Sequence, residues 1–213
     1  MPTIDYIYSA HSAYAYLGAQ AFYDICAAQG YLIRHVPITL SPVVEAVGGQ
    51  PFAARTQAHV DYFFGREIER WAEYRNVEIL KHRPTFHDNA LDLSNGVIIA
   101  AQEQGQNVDA ISLALLQAHW RDDIDLANPE HVIRAITPVA KDAKALLDAA
   151  MSDDVQAIHA ANTQAAIKSN VFGSPTYVVS GDMFYGQDHL DLVARAMARP
   201  FAPAAFTNPS VAD

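Results

Sequence analysis

Two short stretches of this sequence carry residue types that can hold a small thiol or anionic ligand. Ser12 lies where a strand-like run gives way to a helix-like run, and a serine there either caps the helix or presents its hydroxyl to a ligand. The positive end of a helix also favours a bound anion. In the second stretch, Gly173-Ser174-Pro175-Thr176, the proline stands at a strand entrance, which marks an edge or a special peptide bond. We predict a cis Ser174–Pro175 bond that exposes the Ser174 backbone to a ligand.

Several histidines suggest other chemistry, but their spacing does not favour it. His11 stands beside Ser12, yet neighbours on a turn usually point apart and the sequence places no acidic partner, so a serine hydrolase is disfavoured. His82, His87 and Asp88 match no standard spacing of helical metal ligands. We therefore interpret these three as solvated loop residues and expect no metal site.

The only cysteine, Cys26, excludes an internal disulfide and a CxxC pair. Its surroundings, Tyr-Asp-Ile-Cys-Ala-Ala, are typical of a buried helix face, where cysteine behaves as a small hydrophobic residue. Trp71 and Trp120 are interpreted as core or pocket-wall residues. None of these three side chains is expected to react.

Composition limits the class of protein. The chain has 213 residues, a formal net charge of -10 and 51% hydrophobic residues. The negative charge argues against nucleic-acid binding, which depends on basic surfaces. No apolar run approaches the roughly 20 residues that span a bilayer, and the first residues show no signal-peptide pattern. We expect a cytoplasmic protein without membrane or nucleic-acid partners.

Strand-like segments lie near the two ends of the chain. Residues Thr3–Tyr8 and Tyr31–Ile38 predict strands on either side of a helix over Ala13–Gly30, and such a βαβ unit implies parallel pairing. Near the other end, Thr176–Val179 and Met183–Tyr185 predict a hairpin. A helix that opens at Gln187-Asp188 follows this hairpin.

The long stretch between the two halves reads as all-helical. Its predicted helices cover Ala53–Tyr74, Leu91–Gln104, Val108–Arg121, Pro129–Ala135, Ala140–Ala150 and Asp153–Lys168. A βαβ unit, a helical insertion and a ββα unit preceded by proline are the order of a thioredoxin-like fold. We predict an α/β, thioredoxin-like domain from residues 1–40 and 169–213, with a large helical insertion over 41–168.

The sequence resembles the 2-hydroxychromene-2-carboxylate isomerase family, whose relatives include kappa-class glutathione transferases and disulfide oxidoreductases. The segments that carry the resemblance, in chain order, are Tyr8–Leu17, Arg70–Ala72, Leu93–Asn95, Ile99–Gln102, Trp120–Asp125 and Val171–Asp188. Ser12 falls on the active serine of the family. Four residues depart from the family pattern: Ser9, Ala13, Ala15 and His189. The first three flank Ser12, so they leave the native substrate open.

The resemblance implies glutathione as cofactor. Ser12 would hydrogen-bond its sulfur, and the backbone of Ser174, beside Pro175, would pair with its cysteinyl unit like an added strand. Asp188 would meet the γ-glutamyl ammonium, and Gln187 with the helix N-terminus would meet the carboxylate. The implied cofactor site also includes Tyr185 and Gly186.

The substrate implied by the resemblance is a small aromatic, conjugated acid, isomerised by thiolate addition and elimination. Asn95 is a candidate substrate contact, with a helix cap or a surface position as alternatives, and Asp188 is equally compatible with a plain helix-start carboxylate. Alternative functions are a kappa-like glutathione transferase and a non-redox thiol-binding relative of the oxidoreductases. Family members are often dimers, which implies a homodimer by analogy.

Overall fold

The computed structural model describes residues 1–211, and within them four strands form one mixed sheet. The strands are β1 (Thr3–Tyr8), β2 (Leu32–Pro37), β3 (Thr176–Val179) and β4 (Asp182–Tyr185), arranged in the order β2-β1-β3-β4. The β1–β2 pair is parallel, and the other two pairs are antiparallel. The thioredoxin-like fold and the parallel βαβ unit predicted above are confirmed.

The strand β1 pairs with β2 and β3 along its two edges, and buried side chains pack on both of its faces. Tyr6 stacks on Tyr177 of β3 with ring centroids 5.5 Å apart, and Phe22 packs against both rings. On the opposite face, Ile7 belongs to a smaller buried cluster with Val43 and three other residues, Ile38, Ala166 and Val171. The end of β1 is therefore held rigidly at the point where the chain turns toward Ser12.

The first helix, α1 (Ala13–Gln29), has the predicted start and end. Ser12 is its N-cap: the hydroxyl accepts a hydrogen bond from Ala15 N at 3.2 Å. Gly30 ends the helix at φ 70°, a left-handed conformation that glycine adopts without a Cβ clash. Local capping chemistry therefore fixes Ser12 at the junction of β1 and α1.

The stretch between β2 and β3 is helical, as predicted. Its α-helices are α2 (Leu40–Ala46), α3 (Gln57–Asp61), α4 (Glu67–Arg75), α5 (Asp92–Glu103), α6 (Val108–Trp120), α7 (Pro129–Ile136), α8 (Ala143–Ala150) and α9 (Asp153–Lys168). All four strands lie in residues 1–40 and 169–211 of the described chain. The division into two domains stays a prediction.

Two details of this helical stretch differ from the sequence analysis. Helix α2 was not predicted. The helix predicted over Ala53–Tyr74 begins later, at Gln57, after a separate 3₁₀ turn, and it continues to Arg75 as α3, a π-helical turn at Tyr62–Arg66 and α4. Thr56 sets the start of α3 because its hydroxyl accepts a hydrogen bond from His59 N at 3.2 Å.

The β3–β4 hairpin turns at Ser180 and Gly181, whose φ values are 52° and 87°. Two consecutive positive φ values are typical of a type I′ hairpin turn. After β4, a 3₁₀ turn at Gln187–His189 leads into α10 (Leu190–Ala198). Within residues 1–211, no helix combines the length and apolar character needed to cross a bilayer.

Candidate functional site

The loop after β1 and the loop before β3 meet at Ser12 and Ser174. The Ser12 hydroxyl donates to the Ser174 carbonyl oxygen at 3.2 Å, and Ser9 N donates to the Ser174 hydroxyl at 3.1 Å. The Ser174–Pro175 bond is cis, as predicted. Three hydroxyl-bearing residues from opposite ends of the chain thus form one hydrogen-bonded group, which we call the serine wall (Ser9, Ser12 and Ser174).

The Ser174 backbone faces outward from this group. No residue among 1–211 hydrogen-bonds its N–H, whereas its carbonyl accepts only from Ser12. A buried N–H without a partner in the protein is unusual, and Ser174 is 8% exposed. A ligand with an extended backbone could therefore pair with Ser174.

A cavity of about 510 Å³ opens beside the serine wall. Among the predicted site residues it brings together Ser12, Ser174 and Tyr185. Its other walls include the aromatic residues Tyr14, Phe63, Phe64, Trp120 and Phe172 and the basic or imidazole residues His11, Arg55, His59, Arg83 and His87. This combination suits a planar, apolar ligand that carries negative charge.

The predicted site residues that follow Tyr185 in the sequence do not line this cavity. Gly186 N donates to Pro175 O at 2.9 Å, and its φ of 99° requires glycine. Gln187 is buried, and its side-chain and backbone oxygens accept hydrogen bonds from Arg75. The Gln187 amide nitrogen is buried without a partner among residues 1–211. Asp188 is exposed and lines a separate cavity of about 210 Å³.

Asn95 is fully buried on α5 and contacts the same loop from behind. Its Oδ1 accepts from Ala10 N at 3.1 Å, and its Nδ2 donates to Ile38 O at 3.2 Å and lies 3.1 Å from His159 Nε2. The surface position considered for Asn95 is therefore wrong. Its substrate contact stays a prediction, while its observed contacts hold the β1–α1 loop in place.

Three histidines that are far apart in sequence pack together beside the cavity, and two of them, His11 and His87, line it. The ring centroids of His11 and His87 are 4.6 Å apart, and those of His87 and His119 are 5.2 Å apart. His87 Nδ1 lies 2.9 Å from His119 Nε2. We call His11, His87 and His119 the histidine wall.

The histidine wall corrects part of the sequence analysis. His87 is half-buried and not a solvated loop residue, whereas His82 and Asp88 are exposed as expected. His11 makes its side-chain hydrogen bond with Ser9 Oγ at 2.9 Å and not with Ser12. Among residues 1–211 no group of three ligating side chains could hold a metal ion.

Burial keeps these imidazoles neutral. Burial, with the nearby His119 and Arg83, lowers the pKa of His11 to about 3. Burial and the neighbouring imidazoles lower the pKa of His87 to about 2, and burial also lowers the pKa of His119. At neutral pH the wall therefore offers hydrogen-bonding nitrogens and no positive charge.

Positive charge in the cavity comes from Arg55, which sequence reasoning missed. Its guanidinium donates to Gln50 O at 3.1 and 3.2 Å and lies 4.9 Å above the Phe64 ring. No carboxylate among residues 1–211 pairs with it. In contrast, Arg83 in the same cavity is paired with Asp88.

Cys26 lies away from the cavity, buried on α1. Burial raises the pKa of its thiol to about 12, so almost no thiolate forms at neutral pH. The expectation of an inert cysteine is consistent with this position. Trp120, expected in the core or a pocket wall, lines the cavity, and its indole N–H donates to His11 O at 2.7 Å.

Both a family model and individual known proteins match this chain over nearly its whole length. The family model described as DSBA-like thioredoxin domain matches residues 3–198. A 2-hydroxychromene-2-carboxylate isomerase from Sphingobium xenophagum is 24% identical over 192 residues, which are 90% of this chain and 95% of the relative.

Two solved structures are similar in fold. A 2-hydroxychromene-2-carboxylate isomerase structure has a TM-score of 0.74 at 23% identity, over 92% of this chain and 95% of that one. The cytosolic disulfide reductase DsbM from Pseudomonas aeruginosa with GSH has a TM-score of 0.63 at 14% identity, over 93% of each chain.

Proposed function

Since the chain belongs to the DSBA-like thioredoxin domain family, and its similar proteins include 2-hydroxychromene-2-carboxylate isomerases, we propose that it is a glutathione-dependent isomerase of an aromatic, conjugated acid. The observation that carries this proposal is the serine wall: the capping hydroxyl of Ser12 lies beside the Ser174 backbone, whose N–H has no partner among residues 1–211, and both residues line a cavity with aromatic and basic walls. Relatives with this fold also include the DsbM structure with GSH.

The serine wall fits the cysteinyl part of glutathione. The unpaired Ser174 N–H and the Ser174 carbonyl, with Pro175 after them, match the donor and acceptor of an extended peptide unit. The Ser12 hydroxyl would then lie next to the sulfur. Glutathione, when bound, supplies a thiolate whose reversible addition to a conjugated double bond lets that bond rotate.

Ser12 favours the thiolate form in two ways. The N-terminus of α1 stabilises a nearby anion by about 0.3 to 1 kcal/mol. On ligand binding the Ser12 hydroxyl would turn its one proton from the Ser174 carbonyl, to which it donates in this structure, to the sulfur, and a hydrogen bond to such a charged group adds about 1.5 to 3 kcal/mol. Since one pKa unit corresponds to about 1.36 kcal/mol, the pair would lower the pKa of a bound thiol by roughly one to three units.

The other residues of the predicted glutathione site are given roles according to where they lie in the structure. Tyr185 shares the cavity with Ser12, and Gly186 places the following turn against Pro175. Asp188, in the adjoining small cavity, is proposed to meet the γ-glutamyl ammonium, and the unpaired Gln187 amide is a donor for a carboxylate. A homodimer and a cytoplasmic location stay predictions from resemblance.

Arg55 is proposed to bind the carboxylate of the substrate. It is the cavity cation without a carboxylate partner among residues 1–211. The aromatic residues Phe63, Phe64 and Phe172 offer flat apolar surfaces for the ring of the substrate. Such a ligand would lie between the serine wall and the histidine wall.

The test is turnover of 2-hydroxychromene-2-carboxylate, followed by ultraviolet absorbance with glutathione, with S-methylglutathione and with neither. Turnover is expected only with glutathione. Ser12→Ala should lower kcat about ten- to hundredfold, equivalent to about 1.4 to 2.7 kcal/mol. Ser152→Ala is the matched control because Ser152 also caps a helix, α9, away from the cavity. Equal turnover without glutathione, or an unchanged Ser12→Ala enzyme, contradicts the proposal.

A further inference from the structure

The positions of the ring protons in the histidine wall follow from the hydrogen bond between His119 and a backbone carbonyl. His119 Nδ1 lies 3.3 Å from Ile124 O. A carbonyl oxygen can only accept, so the proton is on His119 Nδ1. In a neutral imidazole the other nitrogen then carries a lone pair, and His119 Nε2 must accept.

The same rule fixes His87. His119 Nε2 accepts from His87 Nδ1, 2.9 Å away, so the His87 proton is on Nδ1. His87 Nε2 is therefore left with a lone pair. No hydrogen-bond donor among residues 1–211 reaches this nitrogen. His87 lines both the cavity beside Ser12 and an adjoining one of about 430 Å³.

The stacked arrangement keeps this tautomer in place. His11 packs on one side of the His87 ring at 4.6 Å, and Trp120 meets it edge-on at 5.4 Å. A rotated His87 would lose its hydrogen bond to His119. The cavity therefore has a fixed hydrogen-bond acceptor in its wall, in contrast to the donors at Ser12 and Arg55.

We propose that His87 Nε2 accepts a hydrogen bond from a hydroxyl group of the substrate, so that the site selects hydroxyl-bearing aromatic acids. His87 is then a specificity residue, and His119 is a positioning residue that acts by fixing the His87 tautomer. This inference rests on the proposed function for its substrate class, but it concerns substrate binding and requires neither glutathione nor turnover.

The experiment compares two conjugated aromatic acids that differ in one methyl group: trans-2-hydroxycinnamate, which can donate, and trans-2-methoxycinnamate, which cannot. Calorimetric titration of the full chain should give a Kd three- to tenfold lower for the hydroxy acid, the range expected for one hydrogen bond of about 0.7 to 1.4 kcal/mol. His87→Phe keeps a stacking ring without the acceptor and should bring the Kd ratio to about one. His82→Phe, an exposed histidine five residues earlier, should leave the ratio unchanged.

Two further measurements test the tautomer. His87→Gln retains an acceptor oxygen and should recover part of the preference for the hydroxy acid. Nitrogen-15 chemical shifts, assigned with the His87→Phe spectrum, should show a protonated Nδ1 and a bare Nε2. His119→Phe should reduce the preference by removing the partner of His87 Nδ1.

The result that overturns the inference is an equal Kd for the two acids in the unaltered protein, or a protonated His87 Nε2. A Kd ratio that survives in His87→Phe overturns it as well. If the preference holds but glutathione-dependent turnover is absent, the proposed isomerase function fails and the assignment of His87 stands. The two failures are therefore distinguishable.

Discussion

The serine wall and the histidine wall each contribute two residues to the same cavity, Ser12 and Ser174 from one and His11 and His87 from the other, but the two walls are built in different ways. Ser12 and Ser174 stand at the start of a helix and at the entrance of a strand, and their hydrogen bonds involve backbone groups. His87 and His119 come from a loop and a helix of the insertion, and their contacts are between side chains. The positions of Ser12 and Ser174 are set locally, by the ends of a helix and a strand. The positions of His87 and His119 relative to each other depend on how distant parts of the fold pack together.

The largest expected effect comes from releasing the β1–α1 loop, which carries Ser9, Ser12 and His11 and so contributes to both walls. Asn95 joins Ala10 and Ile38 to α5 through buried hydrogen bonds. Asn95→Ala leaves the buried Ala10 N–H without a partner and removes the Asn95 hydrogen bond to Ile38 O, so it should lower the free energy of unfolding by about 2 to 4 kcal/mol. Urea denaturation measures this change.

The control for that substitution is Asn89→Ala, since Asn89 is exposed. It should change the free energy of unfolding by less than about 0.5 kcal/mol. Equal stability of the two variants would show that the Asn95 hydrogen bonds do not stabilise the β1–α1 loop.

The second effect is a pH dependence of stability to which the histidine wall contributes and the serine wall does not. The pKa values of His11 and His87 are about 3 and 2 in the folded chain, below the unfolded value of about 6.5. Between these limits the unfolded chain binds more protons, so stability falls as pH falls. From pH 7 to pH 5.5 the loss should be about 1 kcal/mol for each of the two histidines.

Thermal or urea unfolding across this pH range tests that expectation. His87→Phe should remove about half of the loss that the two histidines cause, whereas Ser12→Ala should keep the full pH slope because serine does not titrate. A slope that is the same in both variants would mean that His87 does not contribute.

The third effect concerns charge in the cavity. Arg55→Gln should raise the KM for the aromatic acid about tenfold, or about 1.4 kcal/mol, because a hydrogen bond to a charged group is lost. Steady-state kinetics separates this from a change in kcat. Arg34→Gln is the matched control, since Arg34 pairs with Asp5 on the sheet and does not line the cavity.

The smallest effect is expected at Ser174. Ser174→Ala removes the acceptor for Ser9 N and should cost about 1 kcal/mol of stability. Its backbone remains, so the Kd for glutathione should change less than about twofold if the serine wall acts through backbone groups. A tenfold or larger rise in the Kd for glutathione in Ser174→Ala would refute this distinction.

The sequence was most informative where structure is set by neighbours along the chain. The strand at Thr3–Tyr8, the cap at Ser12, the stop at Gly30 and the cis bond at Pro175 all follow from local residue chemistry. The order of the segments then indicated the thioredoxin-like fold. These features together position the serine wall.

No local sequence pattern predicted the histidine wall. His11, His87 and His119 are separated by 76 and 32 positions (87 minus 11 and 119 minus 87), so no spacing rule relates them. His87 read as a loop residue because only the packing of α6 against that loop brings His119 to it. Arg55 was missed because the segment around it was predicted as one continuous helix.

The order of the sheet also determines when β1 becomes complete during synthesis. One neighbour, β2, follows within a few dozen residues, but the other, β3, begins 168 residues after β1 ends (176 minus 8). At about 5 to 20 residues per second, the ribosome takes on the order of 10 to 30 s to supply that strand. Throughout this interval a nascent β1 has an unpaired edge, which is an aggregation hazard that binding by a chaperone would reduce.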